Sequence, residues 1–422
     1  MLPGLMPKAL CASVIKDLPV RLRLVRATLE SESTMNNAEE YVCVSCFTDP
    51  GLAEFVEQNA VALSCSFCGS AGETAIAAPV EEVSEHFLSC LFREYDLAVN
   101  QLGWEGGYWR PHWDAFDLAT EVLELEFPQA NEWSLLEALF GEYFDQEWCP
   151  ENAYGLDDLE RPRYSWEYFR KVVMHQRRYF FMDNQGDPDD ADVFSPAEIL
   201  QTIFEYAVNM GLFHEFPVGS RLVRARKEGG GKQYDSPGEL GPPPYPVATR
   251  ANRMSPAGIP MFYGCDDDDT ALLEVAEGPG YYGLGDFETL RPAVLLDLTN
   301  IPEVPGLFES VPDFQEVDPR RALRFLHHIS REISRRVKKD DRVHIKYVPT
   351  QVVTEFIRAR VTWGGSRVDG IRYNSTVNEG YASYVLFADQ TNVEEGTEAS
   401  GLEEDRWLRL VGVRRRWFDP DQ

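Results

Sequence analysis

The sequence is short of positive charge: 40 lysines and arginines stand against 70 aspartates and glutamates, a formal net charge of -30. That balance argues against broad binding to nucleic acid or an anionic membrane, because a phosphate surface is repelled unless a local basic patch dominates. Small anions sense only the local field and stay eligible. No run of 18 or more apolar residues is present, which excludes an ordinary transmembrane helix. GxGxxG is absent, and no Lys-Ser/Thr follows a GxxxxG, so the glycine cluster Gly229, Gly230 and Gly231 is not a nucleotide phosphate loop of either common kind. There is no internal repeat. The first 34 residues are mildly basic and apolar but lack a clean apolar core with a small-residue cleavage site, so they are a poor secretion signal. The expectation for them is a disordered extension with Met35 as the natural start; a helix docked on the body is the alternative. Without export the compartment is a reducing cytoplasm, where paired cysteines bind metal rather than each other.

What is there begins with those cysteines. YVCVSCFTDPGLAEFVEQNAVALSCSFCGS, residues 41–70, contains two C-x2-C pairs. Each pair closes a knuckle that points two thiolates at one ion, so Cys43, Cys46, Cys65 and Cys68 supply the four sulfurs of a closed, structural zinc site. The same ligands suit an iron–sulfur cluster. Cys11, Cys90, Cys149 and Cys265 are scattered and read as small buried hydrophobes. From about 79 to 182 the periodicity is helical: Val83, Phe87, Cys90, Leu91 and Tyr95 form an apolar stripe at three- and four-residue steps. Within this part RKVVMH sets Arg170 five residues before His175, the spacing of HEPN-type ribonucleases. Five residues on one helix lie roughly 140° apart, so such a site needs a local distortion or a second subunit; the plainer reading is a surface Arg and a partly buried His. SPAEILQTIFEYAVNMG reads as a last helix before a domain boundary near 190–215.

Beyond that boundary the periods shorten. SRLVRAR and IPMFYG alternate like strands around a long Gly/Pro-rich loop, and PAVLLDLTN, YVPTQVVTEFIRARV, GIRYNS and SYVLFADQ continue the extended pattern. One helix interrupts them over about 319–339, with Leu323, Leu326, Ile329, Ile333 and Val337 on one face and basic side chains elsewhere, read as a solvated face. An acidic loop then leads to RWLRLVGVRRRW, a last strand with a basic end. The densest window is RANRMSPAGIPMFYGCDDDDTALLEV, residues 250–275, where two arginines, a tyrosine, four aspartates and a glutamate crowd together. Glu274 is the telling residue, because a carboxylate inside ALLEVA is costly unless paired, and an arginine partner is expected.

The series LVRAR, RMSPAGIPMFYG, TALLEV, YVPTQVVTEFI, DGIRYNS and YVLF, in that order over about residues 215–390, resembles the RES family, named for its Arg, Glu and Ser. The stretch from about 35 to 190 is similar to the zinc-ribbon and HEPN-like helical domain that precedes RES in bacterial proteins. The resemblance implies a toxin-like mixed α/β domain with a split sheet, related to ADP-ribosyltransferases, that takes NAD as substrate and breaks its nicotinamide–ribose bond. Carried over, the family's site falls on Arg224 (with Arg226 as the other register), Arg253, Tyr263, Glu274 and Ser375. The departures are a long 227–249 loop and the four aspartates before Thr270.

The chemistry suits these residue types. Two arginines hold a pyrophosphate through charge-assisted contacts. A tyrosine face orients a flat ring, and a glutamate offsets the ribosyl cation that develops as nicotinamide leaves. A serine hydroxyl positions phosphate or ribose. Hydrolysis, phosphorolysis and transfer to a macromolecule share this step and differ in the acceptor; a HEPN-type ribonuclease with a companion RES domain is the competing reading. An NAD-depleting domain is lethal unless restrained, so the fused N-terminal part, an antitoxin or regulatory partner, or a second copy in a homo-oligomer is expected to silence it. The expected layout is an extension (1–34), a zinc ribbon (35–78), a helical domain (79–212), the RES domain (213–393) and an acidic loop with a C-terminal segment (394–422).

Overall fold

The computed structural model describes residues 39–420 apart from 129, 157–158, 183–191, 312–316, 336, 338–341 and 395–404. The expected extension with its Met35 start, and nearly all of the acidic run before the last strand, lie outside the described residues. Packing divides the chain into two units, Met1–Tyr154 with Gly306–Ser310, and Gly155–Pro305 with Val311–Gln422.

In the first unit the ribbon and the helices share one core. Strand β1 (Tyr41–Cys43) pairs antiparallel with β2 (Ala77–Pro79), and α1 (Pro50–Gln58) starts at Asp49, whose carboxylate accepts the Leu52 N–H at 2.9 Å. Helices α2 (Val80–Leu91) and α3 (Glu132–Phe140) bury Phe87, Leu91, Leu136 and Phe140 against one another. The stripe expected to run on to Tyr95 stops at Leu91, because Tyr95 enters β3 (Tyr95–Leu97), which pairs with β4 (Trp148–Pro150). Gly306–Ser310 also belongs to this unit, far from it in sequence. Phe308 stacks on Phe87 with centroids 5.0 Å apart, and its carbonyl meets His86 Nε2 at 2.8 Å. Gly51 makes that possible: a Cβ there would lie 2.5 Å from the Phe308 carbonyl carbon.

The second unit is a nine-stranded mixed sheet with helices on it. Its strands are β5 (Phe213–Phe216), β6 (Arg221–Lys227), β7 (Phe262–Cys265), β8 (Gly280–Thr289), β9 (Ala293–Asp297), β12 (Gly370–Asn374), β13 (Ala382–Leu386), β14 (Val393–Glu394) and β15 (Leu408–Phe418). β10 (Thr362–Trp363) and β11 (Ser366–Arg367) form a separate hairpin. The order is β14-β15-β8-β6-β7-β13-β12-β9-β5, antiparallel except for β12 with β9 and β14 with β15. Strand β6 runs in register with β8 from Arg221 to Lys227, yet meets β7 only at Val223 and Cys265. The sheet therefore has a seam between β6 and β7.

Helices α4 (Arg161–Lys171) and α5 (Pro196–Asn209), the latter started by a Ser195–Glu198 capping box, pack with α7 (Pro319–Ser334) and α8 (Val348–Arg360) on one face of this sheet. This packing corrects two expectations and groups a third differently. The packing units divide at 154/155, ahead of the domain boundary expected near 213, because the apolar faces of α4 and α5 join the core of the sheet unit and not that of the ribbon unit. YVPTQVVTEFIRARV is a helix: Pro349 sits in its first turn, and Thr350, Val353, Thr354 and Ile357 are buried at helical steps, so tertiary packing overrides a β-branched composition. The C-terminal segment is not a separate piece, since β15 pairs with β8 along its length. Helix α7 ends at Ser334, short of the expected 339, and residues 338–339 lie outside the described residues.

Candidate functional site

The site begins with how the Arg253 loop is held. The first turn of α8 reaches across to it: Gln351 Nε2 donates to the carbonyls of Asn252 and Ser255 at 2.7 and 3.2 Å, and Thr350 Oγ1 donates to that of Arg253. So anchored, Arg253 donates through Nη1 to the Ser334 carbonyl at 2.7 Å, at the C-terminal end of α7, where a helix carries partial negative charge. Its guanidinium lies 6.0 Å from the centre of the Tyr373 ring. Ser255, two residues on, shares a 3.0 Å hydrogen bond with the Tyr263 hydroxyl.

The sheet registers Tyr373 with Ser383, Ser383 with Cys265, and Val385 with Tyr263, so these side chains share one face. Helix α6 (Asp268–Val275) packs over that face, on Val223 and Cys265, and brings Glu274 in. The four aspartates that looked anomalous place this helix. Asp266 accepts the Tyr384 hydroxyl at 2.7 Å and the Ala382 N–H at 3.2 Å. Asp267 caps α6, accepting the N–H groups of Asp269 and Thr270 at 3.0 Å each. Asp268 pairs with Arg414, and Asp269 with Arg416 at 2.6 Å, so the basic end of β15 matches the acidic start of α6.

Glu274 has serines where an arginine was expected. Its Oε1 accepts from Ser375 Oγ at 3.2 Å and Ser383 Oγ at 3.1 Å, so hydroxyls supply the donors on a half-buried helix end that a full ion pair is not needed to satisfy. Ser375 thereby also acts within the protein, as a donor to Glu274.

Arg224 leaves β6 on the sheet face opposite Val223 and Cys265, beside Phe262, whose ring lies 5.4 Å away. It reaches the seam and donates to the Tyr263 carbonyl at 2.9 Å, a backbone acceptor left over where β6 and β7 part. Arg226, the other register, is exposed, donates to the Glu239 carbonyl and stacks 5.1 Å from Tyr234. The arrangement thus unites Arg253, Tyr263, Glu274 and Ser375 on one face and sets Arg224 at the seam beside it. A cavity of about 310 Å³ lined by His214, Asp297, Asn300 and Arg372 opens on the other face, and none of the candidate residues lines it.

Burial governs the protonation states. It pushes Tyr263 up to about 12 and, with the charge of Glu274 adding to it, Cys265 up to about 12 and Tyr373 well above the usual phenol value. Burial, then the charge of Arg226, lowers Arg224 to about 10. At neutral pH the phenols and the thiol are neutral and Arg224 is charged.

The four paired cysteines converge as expected, with every sulfur within 4.8 Å of the others. Cys43 caps a short 3-10 turn, Val44–Cys46, that ends on Cys46; Cys65–Cys68 closes a second turn finished by Gly69 at φ 71°, and the group could hold a metal ion. The described cysteines are all free thiols. Arg170 and His175 are less persuasive. A π-helical turn, Val172–Gln176, supplies the distortion that their spacing requires, but Arg170 pairs with Glu167 at 3.0 Å and Glu332 at 3.5 Å while His175 is exposed. Those pairings favour a structural role. Among the described residues no helix is long and apolar enough to cross a membrane.

Family models match two stretches of the chain: HEPN/RES N-terminal domain 1 over residues 58–187, and the RES domain over residues 221–407. The chain carries a RES domain. Arg224, Arg253, Tyr263, Glu274 and Ser375 all fall within the RES match, and β15 follows directly after it. The HEPN/RES match runs past the packing division at 154/155, so α4, which that domain contributes in sequence, packs with the RES unit in space. No curated protein and no solved structure matches the chain.

Sequence reasoning missed Ser255, Thr350, Gln351, Tyr373 and Ser383. Four of these were within quoted motifs: SPAG holds Ser255, VPTQ holds Thr350 and Gln351, and RYNS holds Tyr373. Ser383 opens the extended segment SYVLFADQ, but only the β13–β7 register brings it to Glu274.

Proposed function

We propose that the RES unit consumes NAD by breaking the bond between nicotinamide and ribose, as a toxin-like or defence effector. The observation that carries this reading is Glu274, held half-buried by two hydroxyls on Oε1 and set on the same face as Arg253, Tyr263 and Tyr373. The N-glycosidic electrons leave with the nicotinamide ring, which departs neutral, and positive charge develops on the ribosyl carbon and ring oxygen. A carboxylate poised there lowers that barrier. Arg253 spends one N–H on the Ser334 carbonyl and keeps its other donors for the pyrophosphate, with Arg224 at the seam as the second cation. The phenols of Tyr263 and Tyr373 offer neutral aromatic walls for a flat ring. A mixed sheet that parts between β6 and β7 agrees with the split sheet of ADP-ribosyltransferases, and the acceptor is water, phosphate or a macromolecule.

The four-cysteine group is proposed to hold structural zinc. At about 2.3 Å from a central ion, tetrahedral sulfurs stand about 3.8 Å apart; Cys43–Cys68, Cys46–Cys65 and Cys43–Cys46 stand 3.5, 3.6 and 3.9 Å apart, and every pair lies within 4.8 Å. Such a site is closed and lends stability, not catalysis. Free thiols fit a reducing cytoplasm. Restraint of the enzyme is assigned to the N-terminal unit or to a partner protein.

The test is nicotinamide release from NAD, followed by chromatography with and without phosphate, beside Arg253→Ala and Glu274→Gln. Release lost in both folded variants supports the reading, and the companion product, ADP-ribose, its phosphate or a modified protein, names the acceptor. Release that persists in Glu274→Gln removes Glu274 from the chemistry.

A further inference from the structure

Glu274 accepts both of its described hydrogen bonds on one oxygen. Oε1 takes Ser375 Oγ and Ser383 Oγ, while Oε2 takes none among the described residues. A hydroxyl carries a single proton, so the direction of each bond depends on what else the oxygen contacts. Ser375 Oγ accepts the backbone N–H groups of Val377 and Asn378, both at 3.3 Å, which leaves its proton aimed at Glu274. The Asn378 amide is in turn fastened to Thr270 Oγ1 at 2.7 Å, on the helix that carries Glu274.

Ser383 is oriented from the other side. It is buried on β13, and its Oγ lies 3.8 Å from Cys265 Sγ on the neighbouring strand. The Glu274 oxygen offers only an acceptor, so the Ser383 proton turns to it at 3.1 Å, and the neutral Cys265 thiol, which can act as donor or acceptor, is free to give its S–H to Ser383 Oγ. Two strands and one turn therefore converge on one carboxylate oxygen, and both hydroxyls present protons to it.

We infer that Ser383 is a positioning residue of the RES site: with Ser375 it locks Glu274 by Oε1 so that Oε2 faces the ribose of the bound dinucleotide. A carboxylate held on one oxygen loses rotation about its last bond, and the free oxygen is presented in one direction with its negative charge undiminished by other donors. Preorganisation of that kind acts on the transition state, where charge appears, more than on binding of the ground state. The inference rests on the NAD-cleaving reading and adds to it a residue outside the motifs that resemble the family.

The experiment measures initial rates of nicotinamide release across NAD concentrations for wild type, Ser383→Ala, Ser383→Thr, Ser375→Ala and the double alanine variant. Loss of a hydrogen bond to a charged group lowers kcat by ~10- to 100-fold in Ser383→Ala, with KM little changed. Ser383→Thr, which keeps the hydroxyl, restores most of kcat. The double variant falls short of the product of the single losses, because the two serines share one acceptor atom. Should Ser383→Ala fail to fold, Ser383→Cys, close in shape with a weaker donor, takes its place with the same expected fall in kcat. A raised KM with unchanged kcat, wild-type rates in Ser383→Ala, or a threonine variant as slow as the alanine one each overturn the inference while leaving NAD cleavage standing. An inert, folded wild type overturns the NAD reading, and this inference with it.

Discussion

The two units handle charge in opposite ways. Between residues 39 and 154 there are 23 acidic residues, two arginines and no lysine, so most carboxylates have no cation of their own unit to meet. In the RES unit many acids meet a cation: Arg372 with Asp297 at 2.9 Å, Arg291 with Asp369 at 2.6 Å, Arg415 with Glu228 at 2.8 Å, Arg416 with Asp269 at 2.6 Å. The first unit accordingly depends on what can overcome self-repulsion, which is an aromatic core and, on the proposed reading, a metal ion held by the four converging sulfurs. The second uses its charges to place elements, as the pairing of the basic end of β15 with the start of α6 illustrates. Surface charge in this chain destabilises one unit and orients the parts of the other.

The largest expected break in that comparison is at the cysteines. On the proposed structural-metal reading of the four sulfurs, Cys46→Ser or a strong chelator melts the first unit locally, because binding free energy of a structural ion is folding free energy. Hydrogen exchange resolved by segment reports it as loss of protection over residues 41–91 with the RES sheet unaffected. Equal loss in both units contradicts the division. Next is Phe308→Ala, which empties a stack on Phe87 and costs about 3–5 kcal/mol in the same unit, although residue 308 lies deep in the RES sequence. Its effect is read by the same exchange experiment in α2. Smaller still is salt: raising sodium chloride from about 20 to about 500 mM screens like charges and increases protection in the first unit more than in the second. A uniform response would show that the charge imbalance carries no energetic weight. Smallest is Arg416→Ala, an exposed pair worth about 0–1 kcal/mol, whose thermal midpoint stays close to wild type.

Much of this was legible beforehand. Cys43, Cys46, Cys65 and Cys68 announce their convergence by spacing, since C-x2-C forces two thiols to one side of a tight turn. Arg253, Tyr263, Glu274 and Ser375 are recoverable because they sit in short motifs whose local structure carries them. The failures share a cause, which is that long-range packing decided the outcome. YVPTQVVTEFIRARV looks extended because valine, threonine and isoleucine favour strands, and only its burial at helical steps against the sheet makes it α8. Helices α4 and α5 are continuous in pattern with the preceding helices, and nothing local says that their apolar faces belong to a different core. Ser383 contributes through register alone. The missing arginine beside Glu274 is instructive for the same reason: the rule that a buried carboxylate needs donors held, but two serines brought together by separate strands and turns supply them.

The central claim is that Glu274, fastened by two serines, drives cleavage of NAD. The most direct measurement compares nicotinamide release by purified wild type with that by Glu274→Gln, a substitution that preserves the side chain's shape and removes its charge. The account predicts release by wild type and a fall of at least about 100-fold in the folded glutamine variant; equal release by the two proteins would contradict it.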